Sequence, residues 1–282
     1  MTSAIPAIDG GSLPVGMTAL VPGGASNTVD APVGARPSIR YVQIFGERCS
    51  GTNYLARLID KNFGPVGITT SFGGKHWFIK DHEPRGRPNR STDLECVRRL
   101  TDSDDTLFLV IFRDPIDWLR SLHGRPYHAP GHWNLPFADF LRKPWLCWEA
   151  ERVNALWPER GPYFIEDAEN VVRLRSQKIR HLTKLEGTVS NVAFVNYEAL
   201  LEDRGALAEI ADRFGIPLSR RPLLDETHAF GHGAGQTFVG PRDYAPVARQ
   251  DLRFILHNLD LDLEAGIGYD LPASAEGGTA RS

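Results

Sequence analysis

The apolar positions of this chain fall into short continuous runs, separated by stretches in which they recur every three to four residues. Tyr41 to Phe45, "TLFLVIF" from Thr106 to Phe112 and "NVAFVNY" from Asn191 to Tyr197 are runs bounded by polar turns, the pattern of strands buried on both faces. "HWFIK" from His76 reads as a further strand, second in chain order. Between the runs the period changes. Tyr54, Leu55, Leu58 and Ile59 share one helical face, and a second helix is expected from Pro115, with Asp114 as its cap and Pro at the first helical position. Further helices are predicted over roughly 91 to 101, Trp145 to Trp157, Asp167 to Leu185, "EALLED", "ALAEIADRFGI" and Pro246 to Leu259, while the proline-rich residues 124 to 144 read as loop. Strands alternating with helices imply an α/β fold, a three-layer α/β/α arrangement with a mostly parallel central sheet covered on both faces.

Residues 1 to 37 are rich in Gly, Pro, Ala, Ser and Thr without a sustained period, which predicts a flexible leader; residues 38–272 form the α/β domain, and 273–282 a flexible tail. Composition changes this picture little. The chain has 282 residues, 41% hydrophobic and 24% charged, and its net charge of −3 gives no general attraction to nucleic acid or to an anionic membrane. No run approaches the length of a membrane span. Cys49, Cys96 and Cys147 are odd in number and lack metal-like spacing, which fits a reducing cytoplasm. Arg outnumbers Lys 26 to 6, which suits planar contacts to oxyanions but equally reflects genomic bias.

The chemistry concentrates where strands end. After the first strand comes "GERCSGTN", with Gly46 and Gly51 at the spacing of a phosphate-binding loop. In a strand, loop, helix unit the amides of the first helical turn and the helix dipole face the loop and favour an anion. Ser50, Gly51, Thr52 and Asn53 would supply those donors. A nucleotide triphosphatase loop carries Lys and then Ser or Thr, whereas Thr52 and Asn53 stand at those positions here, so a loop-bound metal is not expected. The bland alternative is an ordinary strand-to-helix turn with a Ser cap. The second strong strand ends "FRDPIDWLRSL", in which Arg113 leaves the strand tip and Ser121 lies two helical turns on. A guanidinium and a hydroxyl can converge there on a second phosphate; the alternative is Arg113 paired with Asp114 or Asp117.

Taken together the two elements resemble the nucleotide-binding signature of sulfotransferases that use 3'-phosphoadenosine 5'-phosphosulfate (PAPS). The resemblance rests on Ser50, Gly51, Thr52 and Asn53 for the 5'-phosphosulfate, and on Arg113, Asp114, Pro115 and Ser121 for the 3'-phosphate. It extends loosely from about residue 40 to 271, through "FVNYEALLED" and "LDLDLEAGIGYDL", and is nearer to the bacterial branch. It implies a P-loop NTPase-like fold and metal-free sulfuryl transfer from PAPS to a hydroxyl or amine of a small-molecule or carbohydrate acceptor. One position departs. The family places Lys or Arg directly before the SGT triplet, and Cys49 stands here with Arg48 one residue earlier, so Arg48, Lys75 or Lys80 must supply the charge, or activity is impaired.

The resemblance also implies a His base, or in some branches Glu, between the two phosphate elements. "GGKHWFIKDHEP" offers His76 and His82, with Lys80, His82 and Pro84 matching K-x-H-x-P at a strand end. His82 is the better placed if "HWFIK" is a strand, with Glu47 or Glu83 next in line. "HGRPYHAPGHWNLPF" brings His123, Arg125, Tyr127, His128, His132 and Trp133 to one loop, suited to an acceptor pocket, to plain packing or, less well, to zinc. Arg173, Arg175, Lys178 and Arg180 on a later helix read chiefly as a solvated basic face. Two other functions remain open: a degenerate kinase using ATP and magnesium with Asp114 as metal ligand, and a nucleotide-binding module without catalysis.

Overall fold

In the computed structural model, residues 20–22, 38–76, 98–126, 129–146, 167–226 and 244–272 are described. Strand β1 is Leu20–Pro22, β2 Tyr41–Gly46, β3 Gly67–Thr69, β4 Thr106–Phe112, β5 Trp145–Leu146, β6 Asp167–Ala168 and β7 Val192–Asn196. Helix α1 is Thr52–Asn62, α2 Pro115–Gly124, α3 Phe137–Arg142, α4 Val171–Leu182, α5 Tyr197–Glu202, α6 Gly205–Arg213, α7 Arg249–Asn258 and α8 Leu261–Gly266. The main sheet has the order β1-β7-β4-β2-β3, in which β7, β4, β2 and β3 run parallel and β1 pairs antiparallel with β7. Three residues of the N-terminal leader therefore form a sheet edge.

Every residue of β4 is buried, as a central strand covered on both faces requires. Its alternate side chains build two different layers. Leu107, Leu109 and Ile111 join Val42, Ile44, Ala193 and Val195 under α1, α5 and α6, through Leu55, Leu58, Leu200 and Ile210. Phe108, Val110 and Phe112 join Phe45 and Phe194 under α4, through Ile179 and Leu182. Crossovers leaving β2 and β4 travel in opposite directions along the sheet, so right-handedness puts α1 and α4 on opposite faces. The three-layer α/β/α arrangement follows. A further cluster of Trp118, Leu122, Phe140, Trp145, Leu174 and Ile255 joins α2, α3, α4 and α7 beside the sheet.

Several elements differ from the sequence pattern. The strand that follows β2 in chain order is β3, Gly67–Thr69; of "HWFIK", His76 lies in a turn and Trp77 to Lys80 fall outside the described residues. Strand β3 is three residues long and mostly exposed, too short to register as a run. Of the helix expected over 91 to 101, only the 3-10 turn Leu100–Asp102 is described. The supposed loop 124 to 144 contains α3, whose Phe140 and Leu141 are buried. Trp145 begins a two-residue strand paired with β6, and the rest of the helix expected up to Trp157 lies outside the described residues. The helix expected from Asp167 starts at Val171, because Asn170 caps it through the amides of Val172 and Arg173. No helix among the described residues is long and apolar enough to cross a membrane.

Candidate functional site

Strands β2 and β4 are neighbours, and the connections leaving them diverge, so the crevice beyond their carboxyl ends is the topological switch point of the sheet, where open α/β folds bind ligands. The two sequence elements singled out above are the loops on its two sides.

The first loop is shaped by backbone conformations that few residues adopt. Cys49 has φ 65° and Gly51 φ 99°, which reverse the chain between β2 and α1. A Cβ at Gly51 would come within 2.3 Å of Cδ2 of Tyr197, so glycine is required both for conformation and for space. Gly46 is similarly enclosed, with Ile111 O 2.6 Å and Ser50 Oγ 2.7 Å from the place of a Cβ. Ser50 serves the loop itself. Its amide and hydroxyl both donate to the Glu47 carbonyl, at 3.1 and 2.7 Å. Helix α1 has no side-chain cap, so its first-turn amides from Thr52 onward face the loop in the way a bound anion needs. Thr52 is buried, and Asn53 is exposed and accepts a hydrogen bond at Oδ1 from Lys75 Nζ.

The second loop is tied to the first. Asp114 Oδ1 caps α2 by accepting from the amides of Ile116 and Asp117, and Pro115 occupies the first helical position, as the sequence predicts. Arg113, 7% exposed, donates from Nη1 to the Cys49 carbonyl at 3.1 Å, and its guanidinium stands 5.0 Å from the Tyr197 ring centre. Its Nε is 3.9 Å from Glu198 Oε1 and makes no hydrogen bond among the described residues. Glu198 accepts from the Asp114 amide and from the Tyr269 hydroxyl, and burial raises its pKa. Trp118 Nε1 donates to the Arg48 carbonyl at 2.8 Å, a second bond from α2 to the first loop.

Several cations gather around the first loop. Burial pushes the Cys49 thiol up, whereas Ser121, Arg113, Arg48 and Arg125 draw it down. The bonds from Arg113 to the Cys49 carbonyl and from Trp118 to the Arg48 carbonyl thus bring the two predicted phosphate elements into contact. His76 Nδ1 donates to the Gly46 carbonyl at 2.8 Å, so that nitrogen carries its proton. Burial, with Arg48, Lys75 and Lys178 beside it, holds His76 well below the usual histidine pKa.

Arg48, Cys49, Ser50, Gly51, Thr52, Asn53, Lys75, His76, Arg113 and Ser121 are brought together here, while Lys80, His82 and Glu83 lie outside the described residues. The predicted acceptor loop divides. His132 is 2% exposed and packs on Phe140 and Trp145, and His123 bonds to the Leu135 carbonyl, so both are packing residues; Tyr127 and His128 lie outside the described residues. Among the described residues no three His, Cys, Asp or Glu are placed to hold a metal.

Two residues read as a solvated basic face turn inward. Arg175 and Lys178 are each 1% exposed. Arg175 makes a bidentate ion pair with Glu264, at 2.6 and 2.7 Å, and donates to the Arg113 carbonyl at 2.8 Å. Lys178 lies 3.4 Å from Glu47 Oε1 and donates to the His76 carbonyl. A signal was present: Val171, Leu174, Arg175, Lys178 and Leu182 share one helical stripe, and its other members are core residues. No family model, curated protein or solved structure matches the chain.

Proposed function

We propose that the chain is a PAPS-dependent sulfotransferase of P-loop NTPase-like fold, acting on a hydroxyl or amine of a small-molecule or carbohydrate acceptor. The observation that carries this reading is the meeting of an uncapped helix start and a buried arginine across the switch point, through Arg113 and the Cys49 carbonyl. An ordinary turn needs neither arrangement. The buried Arg113 Nε faces Glu198 Oε1 at 3.9 Å and makes no hydrogen bond among the described residues, so it can donate to a ligand oxygen. The surrounding cations, with Lys75 held at Asn53 beside the helix start, suit a ligand carrying several negative charges.

In this reading α1 and its loop hold the 5'-phosphosulfate, and Arg113 with Ser121 the 3'-phosphate. The acceptor oxygen or nitrogen forms a bond to sulfur, the bond from sulfur to the bridging oxygen breaks, and adenosine 3',5'-bisphosphate leaves. Lys75 and Arg48 stand in for the cation the family carries at the position of Cys49. A cation-flanked, neutral His76 takes up a proton poorly, so the base assignment goes to His82.

The test is a transfer reaction with PAPS and a panel of alcohols, amines and sugars, without magnesium. Acceptor-dependent release of adenosine 3',5'-bisphosphate supports the reading. Turnover of ATP with magnesium, with PAPS inert, would replace it by the kinase.

A further inference from the structure

Both loops of the site are gripped from beneath by one helix. Arg175 and Lys178 lie three residues apart on α4, on the stripe that packs into the core, and each spends its charge on a different side of the crevice. From Arg175 a chain of bonds runs to the Arg113 carbonyl and, through the Arg113 guanidinium, to the Cys49 carbonyl. From Lys178 another runs to the His76 carbonyl and, through the His76 ring, to the Gly46 carbonyl; Lys178 also faces the Glu47 carboxylate. The reversal between Gly46 and Gly51 is therefore held on its entering side by Lys178 and on its leaving side by Arg175.

Burying two cations is costly, and apolar side chains at the same places would pack at least as stably. A fixed geometry between two binding elements gives such a cost a function. Glu264 supports it, since its bidentate contact orients the guanidinium so that Nη2 is left to point at Arg113.

We infer that Arg175 and Lys178 are positioning residues, which set the separation of the 5' and 3' phosphate elements so that one bisphosphate spans both. This rests on the nucleotide reading above. It assigns the residues different roles. Arg175 governs only what Arg113 contributes, and Lys178 governs the first loop, which every 5'-phosphate ligand uses.

Calorimetry with AMP and with adenosine 3',5'-bisphosphate separates the two. Arg175→Lys keeps the charge and loses the fork. It should weaken the bisphosphate by about tenfold, the worth of one buried hydrogen bond, and change AMP by less than about twofold. Lys178→Met combined with Glu47→Gln, which leaves no orphan carboxylate, should weaken both ligands by the same factor of about ten. Should both variants, folded by circular dichroism, bind both nucleotides like the native protein, the positioning role is wrong and the nucleotide reading stands. Absence of any bisphosphate preference in the native protein would overturn the reading, and this inference with it. Hydrogen exchange on the native chain needs no variant: saturating bisphosphate should slow exchange in Val171–Leu182 as well as in the loop, and an unchanged helix contradicts the support.

Discussion

At Gly51 one missing carbon decides whether the first loop closes. Its φ of 99° lies in the left-handed region, and a Cβ would sit 2.3 Å from the Tyr197 ring, which itself carries the Arg113 guanidinium. Gly51→Ala should therefore cost about 2–4 kcal/mol in urea unfolding, combining backbone strain with overpacking. A loss below 0.5 kcal/mol, on the order of an ordinary surface change, would mean the turn is drawn wrongly. His76 makes a second residue-scale prediction. Its folded pKa is depressed, so between that value and about 6.5 the unfolded chain binds more protons than the fold, and stability falls as pH drops through this window. His132, also lowered by burial, adds the same sign. Each group contributes up to about 1.4 kcal/mol per pH unit. His76→Asn keeps a donor for the Gly46 carbonyl without the titration, and should reduce the slope of melting temperature against pH below about 6.5. An unchanged slope would place His76 elsewhere.

Elements were legible where burial is symmetrical and long. Strand β4 and helix α2 with its Asp114 cap stand where the apolar run and the capping signal put them. Strand β3 was not legible, since three mostly exposed residues carry no period, and neither was the β5–β6 pair, whose two-residue strands are fixed by tertiary contact. Helix α4 shows a different failure. Its charges suggest exposure, although the helical period puts Arg175 and Lys178 on the core stripe. The buried pair gives its own prediction. Glu264→Ala strands the Arg175 charge and should cost about 3–5 kcal/mol in urea unfolding, whereas Arg175→Met with Glu264→Leu should be close to neutral in stability. Equal losses in the two would show that packing volume, not charge, is what Glu264 supplies.

For the whole molecule, the sequence placed the two loops proposed to hold phosphates but not their adjacency. That came from strand order, a property of non-local pairing, which sets β2 beside β4 at the switch point and lets Arg113 reach the Cys49 carbonyl. The residues of each loop were readable because loop chemistry is local: a left-handed glycine, a lysine-free turn, an Asp-Pro cap. Their supports, Trp118, Glu198 and Arg175, were not, because each acts on a loop 62 or more residues away in sequence. One site with two anion positions is the central claim. It is tested most directly by the affinity ratio of adenosine 3',5'-bisphosphate to AMP, measured by calorimetry without magnesium in the native protein and in Arg113→Ala. The native protein should favour the bisphosphate, and Arg113→Ala should remove about 1.5–3 kcal/mol from that ligand while leaving AMP nearly unchanged. Equal affinity for the two nucleotides in the native protein would contradict the account.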